Sequence, residues 1–308
     1  MKYGLPYKGS KNKIAGKIFD LFPQADNFYD LFCGGGALTH YALLQKKFKH
    51  FYMNDINPMC TQLFIDSIHG KYHNEKRWVS REDFEKLKNS DPYVAFCWSF
   101  GNNLREYLYS KTKEEDKRIW HNAIVFDQYK EFEKRYGVDL SPIYKLPTRR
   151  DKYLASKKII KQKYSERFEL QSIESLERLE NMERLQSLEN LENLENLEIL
   201  ENLENLETLA TSYSNVNIKP NSVIYCDIPY KNTNAYGNKK DNLGFDFEAF
   251  YDWALRQIEP IFISSYEMPS DFIPIASFEH TSSISATATN KVIEKVFVPK
   301  NQLKGLHK

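Results

Sequence analysis

The chain of 308 residues carries 43 Lys and Arg against 42 Asp and Glu, and 41% of it is hydrophobic. That composition supports a packed core and excludes an intrinsically disordered chain. No apolar run reaches the roughly 18 residues of a membrane span. The start Met1-Lys2-Tyr3-Gly4 lacks the apolar stretch of a signal peptide, so a cytoplasmic location is expected. The cysteines, Cys33, Cys60, Cys97 and Cys226, form no Cys-x-x-Cys pair, and neither a metal site nor a disulfide framework is expected.

In chain order, Lys11 to Phe22 has helical spacing, with Ile14, Ile18, Leu21 and Phe22 apolar. Phe28-Tyr29-Asp30-Leu31-Phe32 has the length of a buried strand and runs into Gly34-Gly35-Gly36. Ala37 to Leu44 reads as helix, and Phe51-Tyr52-Met53 as a second strand ending at Asn54-Asp55. Strand, glycine turn, helix and strand are the signature of a βαβ unit. Residues 71–170 are richer in charge and aromatics and read as helices and loops, with Gly101-Asn102-Asn103 a loop. Lys145 to Arg167 holds nine Lys or Arg and only two acids, Asp151 and Glu166.

From Leu176 to Leu209 an apolar residue recurs every third position in a Leu-Glu-Asn pattern, with Met182 substituting once. Three is not the α-helical period, and each step slips about 60° around a helix. A helix is the expectation here, with a 3₁₀ run or a three-residue solenoid as alternatives. The segment is expected to be a tolerated insertion without chemistry. Residues 171–209 hold 11 Glu against Arg178 and Arg184, a local charge of −9, so the rest of the chain stands at +10. A basic body with an acidic insertion fits a polyanionic partner. After residue 218 the α/β pattern returns. Ser222 to Cys226 reads as a buried strand leading to Asp227, Phe247 to Ile258 as a helix, and Pro260 to Ser265 as a strand. Val292 to Val298 reads as a last strand, preceded by a Ser/Thr-rich turn or loop.

The chemistry concentrates where strands end. Glycines after the first strand let a ligand approach the backbone, and an acid such as Asp55 ending the next strand commonly holds ribose hydroxyls. The full Gly-x-Gly-x-x-Gly pattern is absent, which counts against a nicotinamide dinucleotide. Asp227-Ile228-Pro229-Tyr230 follows a third buried strand.

Those four residues resemble the Asp-Pro-Pro-Tyr motif of amino methyltransferases, with Ile228 in place of the first Pro. Phe32-Cys33-Gly34-Gly35-Gly36 resembles the Phe-x-Gly-Gly-Gly cofactor motif of the Dam-like class of DNA adenine-N6 methyltransferases. Tyr7-Lys8-Gly9-Ser10-Lys11 is similar to that class's aromatic-x-Gly-Gly-Lys motif, and Asn54-Asp55-Ile56-Asn57 to its acidic motif. The motifs also stand in the family's order. The resemblance covers residues 3–60 and 222–298; between them it is confined to Trp98-Ser99-Phe100-Gly101-Asn102-Asn103.

The resemblance implies an α/β fold: a Rossmann-like methyltransferase sheet with an inserted, mainly helical recognition region and the low-complexity Leu-Glu-Asn repeat. Residues 1–70 and 215–308 would form the catalytic domain, 71–170 the target recognition region and 171–210 the repeat insertion. S-adenosylmethionine would be the cofactor, held by Tyr7, Lys11, Phe32, Gly34, Gly36, Asp55 and Asp227. The catalytic residues would be Asp227, Ile228, Pro229 and Tyr230. An exocyclic amine is a poor nucleophile. The Asp227 carboxylate and the Ile228 carbonyl would accept its two N–H bonds, Pro229 would stiffen the turn, and Tyr230 would offer the extruded base a flat face. Double-stranded DNA would be the partner, with Asn103, Arg105, Lys145, Arg149, Arg150 and Lys152 as contacts. Cytosine N4, a base in RNA or a glutamine amide are alternative targets. An inactive DNA-binding relative is a further alternative, and a restriction partner and the oligomeric state stay open.

Overall fold

A computed structural model of the chain describes residues 2–167, 185–199, 203–230, 244–282 and 290–305. Among the described residues seven strands form one sheet in the order β3-β2-β1-β4-β5-β7-β6. They are β1 (Asn27–Asp30), β2 (His50–Asn54), β3 (Leu206–Leu209), β4 (Ser222–Asp227), β5 (Ile261–Ser265), β6 (Phe272–Ser282) and β7 (Asn290–Pro299). β1 pairs in parallel with β2 and β4, β2 with β3, and β4 with β5; β7 runs antiparallel between β5 and β6. The order 3-2-1-4-5 and the parallel register make the sheet Rossmann-like, as expected.

Alternation along the strands explains why both faces are covered. Phe28, Val223, Tyr225 and Phe262 turn to one core, and Tyr29, Ile224, Cys226 and Ile263 to the other. The helices α1 (Ala15–Phe19) and α2 (Ala37–Gln45) seal the first face through Ile18, Leu38 and Ala42. The second face is closed late in the chain by a helix at Phe247–Leu255, through Phe250 and Ala254. That helix stops three residues before the expected end, leaving Ile258 at 93% exposure ahead of Pro260. The first helix is likewise shorter than its spacing implies. Lys11 to Ile14 forms a turn instead, because the Lys11 side chain is drawn inward.

Between β2 and β3 lie α3 (Pro58–Ile68), α4 (Arg81–Leu87), α5 (Pro92–Cys97), α6 (Glu114–Phe126), α7 (Tyr129–Tyr136), α8 (Arg149–Arg167) and α9 (Gln186–Glu195). The helix at 247–255 is therefore α10. Side-chain caps start several of these helices: Asn57 for α3, Ser80 for α4 and Asp91 for α5. Trp98, Trp120, Phe84, Phe96 and Phe132 are buried in one cluster that also contains Met53 and Phe64. The core of the helical region is thus continuous with the core beside the glycine turn. Among the described residues no helix is long and apolar enough to cross a membrane.

Two segments depart from the sequence reading. Part of the Leu-Glu-Asn repeat, at 168–184 and 200–202, lies outside the described residues. The rest is built into the fold: Leu185, Leu191, Leu194 and Leu197 are buried with Trp98 and Trp120, and Leu206–Leu209 is the edge strand paired with β2. These residues are structural members of the sheet and core, where the sequence reading expected an insertion. The second is β6, which the sequence reading missed. It begins in the stretch containing Pro274, with a register shift between Pro274 and Ala276, and an edge strand is where a proline is tolerated. Residues 283–289 of the Ser/Thr-rich stretch lie outside the described residues.

Candidate active site

Because β1, β2 and β4 are parallel and adjacent, their carboxyl ends bring Asp30, Asp55 and Asp227 to one edge of the sheet. The glycine turn after β1 is held from two sides. Gly34 N–H donates to Asp55 Oδ2 at 2.8 Å, while the other Asp55 oxygen accepts from Asn57 N–H at 2.8 Å. Burial pushes the Asp55 carboxyl above its ordinary pKa, and these two N–H groups oppose the shift. From the other side, Leu5 N–H donates to the Gly35 carbonyl at 2.6 Å, and Tyr7 lies over Gly34 and Gly35 with its ring stacked on Phe96. Gly4 N–H donates to His40 Nδ1 at 2.9 Å; burial pulls that imidazole down to about 4 and so keeps it neutral. Phe32 is half-buried and packs among Tyr213, Phe245 and Phe250, giving the turn an aromatic wall.

Asp30, the last residue of β1, escaped the sequence reading. It is 2% exposed; Oδ2 accepts from Thr39 Oγ at 2.7 Å and Oδ1 has no hydrogen-bond partner among the described residues. Burial pushes its carboxyl up to about 7, the Thr39 hydroxyl opposes this, and Asp227 and Asp55 add to it. The signal for it was a carboxylate inside an apolar strand, immediately before the glycines.

Asp227 sits at the end of β4 with 22% of its side chain exposed, so it is reachable. Its Oδ2 accepts from Lys11 Nζ at 2.5 Å. Lys11, with 7% of its side chain exposed, also reaches Glu294 Oε1 at 3.3 Å and the Gly9 carbonyl at 3.2 Å. The Tyr230 hydroxyl lies between the two carboxylates, 2.8 Å from Glu294 Oε1 and 3.2 Å from Asp227 Oδ1. Burial pushes the Asp227 carboxyl up to about 6; Lys11 opposes the shift and Glu294 adds to it. Burial pulls the Lys11 ammonium down, but Asp227 and Glu294 outweigh it and hold Lys11 charged, above its ordinary value. The Tyr230 ring stacks on Tyr266 with centroids 4.2 Å apart, and Ile228 is buried at 2%. Lys11 therefore belongs to the cluster of Asp227, itself one of the residues that the family resemblance implied beside the cofactor. Glu294 and Tyr266 were missed. The signal for Glu294 was its alternation with the apolar Val296 and Val298.

The residues named for DNA contact lie elsewhere. Asn103 and Arg105 share a tight loop whose Gly101, Asn102 and Leu104 have positive φ; Asn103 Oδ1 accepts from the N–H groups of Arg105 and Glu106. Lys145 is exposed ahead of α8. Arg149 and Arg150, in the first turn of α8, are ion-paired with Glu195 and Glu192 of the repeat, and Lys152 with Asp127. Asn103 Nδ2 also donates to Glu106 Oε2 at 3.1 Å, so carboxylates of the same chain already engage Asn103 as well as Arg149, Arg150 and Lys152.

The residues fit an adenosyl methyl donor at Asp30. Asp30 presents a buried, unpartnered carboxylate oxygen beside the turn, suited to a cationic ligand group. Gly34 and Gly36 have φ of +48° and +64°, and a Cβ at either would stand 2.6 Å from Tyr7 or Met53, so both glycines are required by the packing of the turn itself. A model of the D12 class N6 adenine-specific DNA methyltransferase family matches residues 7–270, well over half of the chain. No curated protein matches it.

Proposed function

Because the chain belongs to the D12 class N6 adenine-specific DNA methyltransferases, enzymes that methylate adenine N6 in DNA, we propose that its methyl donor is S-adenosylmethionine and its catalytic centre the Asp227–Tyr230 turn. The observation that carries this reading is the meeting of Asp30, Asp55 and Asp227 at one sheet edge, with Asp227 the reachable member of a buried ionic cluster. S-adenosylmethionine supplies, when bound, a methyl group on a sulfonium centre. Asp55 takes the ribose hydroxyls, Asp30 and the glycine turn take the amino-acid end, and Tyr7 and Phe32 frame the pocket.

Asp227 and the Ile228 carbonyl accept the two N–H bonds of the target amine. A carboxylate has about four acceptor positions, so Asp227 can do this while bonded to Lys11 and Tyr230. The two acceptors draw the nitrogen toward tetrahedral geometry and stabilise the positive charge that develops on it. Ile228 retains the carbonyl that acts, so its departure from Pro costs the site no acceptor. Tyr230, backed by Tyr266, offers the extruded base an aromatic surface. On the DNA side, Asn103, Arg105 and Lys145 act at the duplex. Arg149, Arg150 and Lys152 contribute less than their charge implies, because each already neutralises a carboxylate.

The test is transfer of labelled methyl from S-adenosylmethionine to unmethylated genomic DNA, with hydrolysis to identify the base. N6-methyladenine is the expected product; N4-methylcytosine alone would contradict the target. Asp227→Ala should lower kcat roughly 100- to 1,000-fold while donor affinity changes little.

A further inference from the structure

The roles above leave one buried carboxylate unused. Glu294 lies in β7 with 3% of its side chain exposed, behind Lys11 and Tyr230 as seen from the reachable Asp227. Burying an ionised carboxylate costs several kcal/mol unless it is paired. One ammonium shared by two carboxylates leaves a negative charge uncompensated, so stability alone is a poor reason for Glu294. Without Glu294, Lys11 and Asp227 would sum to zero, and the ammonium at 2.5 Å would withdraw the carboxylate's charge from the amine. With it, the three groups carry −1 where positive charge develops on nitrogen.

We propose that Glu294 is a positioning residue for methyl transfer: it shares the Lys11 ammonium and fixes the Tyr230 hydroxyl, so that Asp227 meets the target amine in a site whose negative charge is not cancelled by Lys11. Glu294 is too sealed to touch substrate and acts through its neighbours. The inference rests on Asp227 being the acceptor. Among the described residues, the groups that act on Asp227 electrostatically are Lys11 from the N-terminal turn, Asp30 from β1, Tyr225 and the Cys226 thiol from β4, Tyr230 from the turn itself, Tyr266 after β5 and Glu294 from β7. Of these only Glu294 and Asp30 bring like charge, and only Glu294 reaches the same ammonium.

Glu294→Gln keeps the shape and an acceptor for Tyr230 and removes the charge. Removing a like charge lowers the Asp227 pKa, so the acidic limb of kcat/KM should move to lower pH while the plateau kcat falls roughly 10- to 100-fold. Binding of S-adenosylmethionine and of DNA should change less than about threefold, since the residue touches neither. The experiment follows methyl transfer by the full chain to unmethylated genomic DNA from roughly pH 5 to pH 9. Wild-type kcat in E294Q, or a lowered kcat with the acidic limb unmoved, overturns the proposal. Glu294→Asp keeps the charge but draws it back from Lys11, and should lower kcat with the limb in place; it carries the test if E294Q does not fold. Wild-type kcat or a displaced limb in E294D overturns it. Asp227→Asn separates the two readings: full activity there removes the Asp227 assignment, whereas an inactive D227N beside a normal E294Q removes only the role of Glu294.

Discussion

A carboxylate at the end of a buried strand is costly until something cationic meets it, and Asp30 shows the cost on a single residue. Its folded pKa, about 7, is raised above the unfolded 3.8. Its contribution to stability is therefore complete below the unfolded pKa and is lost as pH rises through 7. At 1.36 kcal/mol per pH unit, the penalty above neutrality is about 4 kcal/mol. Asp30→Asn should raise the melting temperature of the ligand-free enzyme, by a margin that grows from pH 5 to pH 8. The same substitution should weaken S-adenosylmethionine binding, measured by calorimetry. A stabilised variant with unchanged donor affinity would show that Asp30 serves the fold alone.

At the scale of elements, the glycine turn is decided by space as much as by dihedral angle. Gly36 starts α2 at φ +64°, and a Cβ there would stand 2.6 Å from Met53 Cε and 2.9 Å from Phe64. Gly101 has a similar φ of +55° with nothing within 4 Å. Gly36→Ala should therefore cost about 2–4 kcal/mol, strain plus overpacking, and Gly101→Ala only about 1–2 kcal/mol from the left-handed conformation. Denaturant melts of the two variants check the difference. The repeat makes a related point. Leu188, Leu191 and Leu194 slip only about 120° across the short α9, and a 3₁₀ turn at Asn196–Ile199 then carries Leu197 into the core. The same period sets Glu192 and Glu195 against Arg150 and Arg149 of α8.

Across the whole molecule, the charge asymmetry between the repeat and the body is used internally. Glutamates of the acidic repeat bind arginines of the basic run, so net charge by itself overstates the surface offered to DNA. The core likewise runs without a break from Met53 and Phe64 beside the glycine turn to Trp120 and Leu194. Leu194→Ala, a change in the repeat, should thus cost about 2–5 kcal/mol and lower the stability of the catalytic sheet as well. Circular dichroism and residual methyl transfer should report one coincident unfolding transition. Two separated transitions, with only the first moved by the substitution, would mean that the recognition region folds as its own unit.

What the sequence determined by itself is local. A buried strand running into glycines, an acid ending the next strand and Asp227-Ile228-Pro229-Tyr230 after a third are legible because neighbouring residues dictate each feature, and the parallel sheet then brings the strand ends together. Lys11 was found by motif, but its ion pair with Asp227 was not, because it joins residues 216 positions apart. Glu294, the edge strand Leu206–Leu209 and the pairing of Arg149 with Glu195 were beyond reach for the same reason. A side chain's charge and period are written in the chain, but its partner is chosen by which elements pack together. Tertiary structure alone decided that leucines in the described part of the repeat are core and that a second carboxylate stands behind Asp227.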